Sequence, residues 1–201
     1  KLLWNYKWII GALPSFPEVS LAKIMDWVED MERRYLLEGR SLRAVYMMRY
    51  QVAMNTGRPE EAEGYFVQWL ETPEKANATD LSGQEPLTPE VTPLSDCSAC
   101  ERDHRVHFYL ARRRFDEAFA ESRPILNGDL DCTEVPARTY AGLVMPALRL
   151  GRKTEAERFH RRGLELVQGS AKLLSHLSRH IRYVVAIGEH ERALRLVEEH
   201  L

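Results

Sequence analysis

Apolar positions recur three and four residues apart over most of this chain, the period of an amphipathic helix, and no segment reads as a strand. The runs SLRAVYMMRYQVAMN, RVHFYLAR, TYAGLVMPALRL and SRHIRYVVAI each lead into a short turn. The runs EEAEGYFVQWL, DEAFAESRPIL, TEAERFHRRGLEL and ERALRLVEEHL each leave one. The four turns superimpose: GRPEEA from Gly57, RRFDEA from Arg113, GRKTEA from Gly151 and GEHERA from Gly188. Glycine in first place suits the left-handed residue that ends a helix, and the closing Ala62, Ala118, Ala156 or Ala193 lets the returning helix approach closely. The pattern therefore predicts antiparallel helix hairpins. Two further helices precede them, one around Trp4 to Ile10 and one of about 18 residues in SLAKIMDWVEDMERRYLLEG.

Turn spacing divides the chain. The distance is 38 residues from Arg113 to Gly151 and 37 from Gly151 to Gly188, but 56 from Gly57 to Arg113. The excess falls in ETPEKANATDLSGQEPLTPEVTP, rich in Pro, Thr, Glu and Ser, which reads as a mobile insertion. The expected organisation is N-terminal helices and a first hairpin over 1–72, the insertion over 73–93, and three further hairpins over 94–201, all in one helical-repeat domain. The chain opens on Lys1 without an initiator Met and is read as part of a longer protein.

Composition narrows the function. A formal charge of −2 supplies no global field for nucleic acid or an anionic membrane. The clusters ARRRF and HRRG stand beside Glu and Asp, and are read as solvated helix faces rather than phosphate contacts. No stretch approaches the roughly 20 apolar residues of a membrane span. Three cysteines are an odd number and too few for a disulfide framework, so thiols or thiolate ligands in a cytoplasmic protein are expected. No phosphate loop, nucleophile elbow, HExxH or paired acidic constellation is present, which leaves an enzymatic reading without residues.

The cysteines carry the sharpest chemical signal. Cys97 and Cys100 lie where the first helix of the second hairpin begins, and Cys132 lies just past the end of its second helix. In an antiparallel pair these are the same end. Two thiolates at CxxC spacing and a third brought back by a hairpin form most of a tetrahedral zinc site. Three reduced cysteines in small apolar niches are the alternative, and a redox dithiol would need a strand that the sequence lacks. His104, one turn beyond Cys100, is the local candidate for a fourth ligand.

The G-x-x-x-E-A turn between two helices, with a large residue four after the Ala (Phe66, His160, Val197), resembles the tetratricopeptide repeat, although the spacing exceeds the 34 residues of that family. The combination DMERRY, LRAV, SDCSAC, DCTEVP, LGRKTEAERFHRRG and EEHL is similar to a group of uncharacterised bacterial tetratricopeptide-repeat proteins over nearly the whole chain. The resemblance implies an all-α, right-handed superhelix of stacked hairpins. It favours His160 as the fourth zinc ligand, because HRRG belongs to the group's pattern. Against this, His160 lies two turns from the end of its helix, roughly 12 Å from the cysteines at 1.5 Å per residue. The repeat register also places it near His180, as a core histidine.

Repeat arrays hold extended peptides or helices on the concave surface lined by their first helices. The same register assigns Met47, Gln51 and Asn55 to that surface in the first hairpin, Asp103 and His107 in the second, Arg138, Met145 and Arg149 in the third, and Arg182 in the fourth. Cationic groups beside flexible Met suit a peptide that carries a carboxylate. The expected function is a non-catalytic protein-interaction module. A zinc- or redox-responsive sensor built on the cysteines is the alternative.

Overall fold

A computed structural model describes residues 2–73 and 94–200, so the expected insertion lies outside the described residues apart from Pro73. The described residues form ten α-helices and no strand. None of these helices is long and apolar enough to cross a membrane. The chain divides into two compact units, Lys1–Asp96 and Cys97–Leu201.

The first unit holds α1 (Leu2–Ala12), α2 (Leu21–Leu37), α3 (Arg43–Asn55) and α4 (Pro59–Glu71). Ser20 starts α2 by accepting a hydrogen bond from the Lys23 N–H at 3.2 Å. Ile24, Val28, Met31 and Tyr35 then bury one stripe of it. α3 and α4 form the hairpin predicted around Gly57, and α1 packs on both α2 and α3. The segment after the undescribed residues returns to α1, where the buried Lys7 ammonium lies 2.7 Å from Asp96 Oδ1 and 4.1 Å from the centre of the Trp4 ring.

The second unit holds three hairpins: α5 (Ser98–Ala111) with α6 (Phe115–Leu126), α7 (Ala137–Arg149) with α8 (Lys153–Val167), and α9 (Leu174–Ala186) with α10 (His190–Glu198). α5 packs on α7 and α7 on α9, while α6 packs on α7 and α8 on α9. Val106, Leu143, Val144, Phe159, Tyr183 and Val184 make the core they share. The turn alanines Ala118 and Ala156 are fully buried and Ala193 nearly so, as the close approach of each returning helix requires.

One turn departs from its fellows. Gly57, Gly151 and Gly188 have φ of +72°, +74° and +88°, and Arg113 stands in the equivalent place at +58°. A side chain there costs about 1–2 kcal/mol through the crowding of Cβ. Glycine would relieve that cost but adds about 0.5–1 kcal/mol of unfolded-chain entropy. Arg113→Gly is therefore expected to raise stability by up to about 1 kcal/mol. A urea midpoint that falls in this variant would contradict the equivalence of the four turns.

Candidate metal centre and the face of the first helices

The three cysteines come together from two segments of the second unit. Cys97 is the N-cap of α5 and Cys100 lies in its first turn. Cys132 sits in the connection between α6 and α7, where its N–H donates to the Val135 carbonyl at 2.8 Å. The sulfurs of Cys100 and Cys132 are 3.4 Å apart, and all three sulfurs lie within 4.8 Å of one another. Ala99, Ile125 and Val135 are buried beneath Cys100 and Cys132, while Cys97 is exposed. The group is thus a thiol cluster with an apolar floor and one wet edge.

The sulfurs differ in their electrostatics. Burial, then the thiols of Cys132 and Cys97, push Cys100 well above its ordinary value. Burial also opposes ionisation of Cys132, but the backbone N–H groups of Glu134 and Val135 and the two other thiols bring it below its ordinary value. Of these two sulfurs, Cys132 is the better prepared to be a thiolate. A divalent cation would reverse the penalty on Cys100, because its charge favours the deprotonated form of any sulfur it touches.

No described His, Asp or Glu joins the three sulfurs. His104 remains on α5 outside the group, and His160 is elsewhere. The His160 ring is buried, with Nε2 2.9 Å from Arg192 Nη2 and its centre 5.4 Å from that of His180 and 4.8 Å from that of Tyr183. The helix-length argument and the repeat register both point to this position, so the resemblance alone misplaced His160 as a ligand.

Two imidazoles of the second unit rest on glycine. A Cβ at Gly163 would come within 2.5 Å of the His180 ring, and one at Gly142 within 2.7 Å of the His107 ring. His180 is fully buried with both ring nitrogens unbonded among the described residues. Burial pushes it down to about 3 and His107 down to about 4, the latter despite the opposing charge of Asp103. Both folded-state values lie below the unfolded value of about 6.5, so the unfolded chain takes up protons first on acidification. The stability from each neutral ring is complete above about pH 6.5 and is lost as pH falls toward the folded value. Urea unfolding should show a loss of about 1–2 kcal/mol per histidine between pH 6.5 and pH 5. His180→Gln should flatten the profile, and a slope left unchanged in that variant would exclude His180 as its source.

The expected groove positions divide by unit. In the first unit Met47 is buried in the core, and Gln51 approaches Gly11 of α1 on a helix that α1 covers. Asn55 is exposed. A helix that precedes the repeats thus occupies a face the register assigned to ligand, and Met47 is not available to line a groove. In the second unit Arg149 and Arg182 are exposed, and Met145 is half-buried against the core. Asp103, fully buried, accepts hydrogen bonds from Arg138 Nε at 2.5 Å and from the Thr139 hydroxyl, and its Oδ2 lies 3.4 Å from His107 Nε2. Sequence reasoning missed Thr139 in this cluster.

No family model, curated protein or solved structure matches the chain.

Proposed function

We propose that the chain is a non-catalytic interaction module of tetratricopeptide type, which receives a peptide segment of a partner protein on the first helices of its C-terminal hairpins. The carrying observation is the packing order: α5 lies on α7 and α7 on α9, whereas α6 and α8 pack on the first helix that follows. Direct packing of first helix on first helix supports a row that curves with these helices inside. The exposed polar side chains of that row, Arg149 and Arg182, would then face the ligand. A photoreactive residue at Arg149 is expected to crosslink to a partner protein in cells, and one at Leu166, exposed on α8, is not. Equal crosslinking from both positions would contradict this orientation.

Within this reading the thiols hold one structural zinc ion. Sulfur donors are the chemistry zinc prefers, and Cys97, Cys100 and Cys132 would be three of its four ligands. The ion would tie the start of α5 to the chain that enters α7. The 3.4 Å approach of the Cys100 and Cys132 sulfurs favours one alternative, a zinc- or redox-responsive sensor built on these thiols. Loss of the metal to a mild chelator at no cost in thermal stability would select the sensor.

A further inference from the structure

We infer that an ion held by Cys97, Cys100 and Cys132 keeps its fourth coordination position open to solvent, and that this position takes a neutral imidazole supplied from outside the chain. The inference rests on the reading of the thiols as a zinc site and adds what that site can bind.

The chain's own thiol and imidazole donors run out at three sulfurs. Cys97, Cys100 and Cys132 are its full complement of cysteines. No described His, Asp or Glu shares their group, and residues 74–93 hold neither Cys nor His. Of the seven histidines, only His104 and His107 lie on α5 with Cys100. The His107 ring is two turns away, held against Gly142 of α7, with Nε2 3.4 Å from Asp103 Oδ2. His104 lies one turn from Cys100 but outside the group. The other histidines belong to α8, α9 and α10 or follow α10, and among them His160 has its Nε2 against Arg192.

The surroundings place the remaining position. Four donors around zinc point to the corners of a tetrahedron, so three sulfurs leave one corner to fill. Beneath Cys100 and Cys132 lie Ala99, Ile125 and Val135, whose side chains offer only carbon. The last corner therefore lies toward the exposed Cys97, where water reaches the site. A zinc ion with three protein ligands keeps a place for water or an incoming donor, as an ion with four does not. The same ion can then tie α5 to the chain entering α7 and recognise a ligand.

Charge selects that ligand. A divalent ion with three thiolates carries one net negative charge, and a carboxylate or a fourth thiolate would add a second beside an apolar floor. Imidazole binds zinc without adding charge. A histidine side chain of another protein molecule has this chemistry.

Cobalt(II) is the probe, because its visible absorption reports the donors around it, whereas zinc, with a filled d shell, has no such bands. The whole chain loaded with cobalt is titrated with imidazole, with acetate and with 2-mercaptoethanol at neutral pH. Imidazole is expected to move the visible bands to a saturating end point, and acetate and the thiol to move them less at equal concentration. His104→Ala should leave cobalt affinity unchanged, whereas Cys97→Ser should lower it by about tenfold or more. Bands that shift as the chain is concentrated without imidazole would support the inference and identify a second copy as the donor. Bands that imidazole leaves in place overturn it, as does a stronger response to acetate or the thiol, or a loss in His104→Ala equal to that in Cys97→Ser. A chain that binds no cobalt overturns the metal site itself along with it.

Discussion

Replacing any one of Cys97, Cys100 or Cys132 by Ser should lower the stability of the zinc-loaded protein by about 3–5 kcal/mol, and replacing all three should cost little more. A bound ion contributes about 4 kcal/mol when its free concentration is a thousandfold above Kd. A site left with two sulfurs loses most of that affinity, so the first substitution removes nearly the whole contribution. Cys97 discriminates best. Its side chain is exposed, and without a metal its loss should cost less than about 0.5 kcal/mol, as for other surface substitutions. Melts of the three single variants and the triple variant, with and without a strong chelator, separate these outcomes.

The convergence of the thiols was legible from sequence because it follows from topology. A hairpin returns its far end to its start, so Cys132 had to approach the first turn of α5 whatever the detail of packing. The turns were legible for a similar reason: glycine and alanine at fixed offsets report local geometry, and Gly151 and Ala156 took the predicted roles. Neither candidate for the fourth ligand joins the sulfurs: His104 stays on α5 outside the group, and the position of His160 along α8 is set by helix rise. Met47 failed because a face is open only if nothing else covers it, and the hairpin pattern says nothing of α1 and α2, which both pack on α3. The cluster around Asp103 was least legible. It takes two side chains from each of α5 and α7, and a hairpin pattern does not say which polar groups of two packed helices will meet.

Asp103→Ala should destabilise by about 3–5 kcal/mol, the range for removing one partner of a buried ion pair. Asp103 is fully buried and accepts from both Arg138 and Thr139, so its loss strands a guanidinium and a hydroxyl together. Asp103→Asn keeps an acceptor for Thr139 and should fall between the two. Adding Arg138→Met to Asp103→Ala should recover part of the loss, because the methionine has no charge to strand. Urea unfolding of the single and double variants measures this. A loss under about 1 kcal/mol for Asp103→Ala would mean that the cluster does not join α5 to α7 as described.

The zinc-stapled module is tested most directly by native mass spectrometry of the chain purified without added metal. The account predicts one zinc ion per chain, retained through dialysis against a mild chelator and absent from the Cys132→Ser variant. A metal-free mass for the parent chain, with a melting temperature that added zinc does not move, would contradict it.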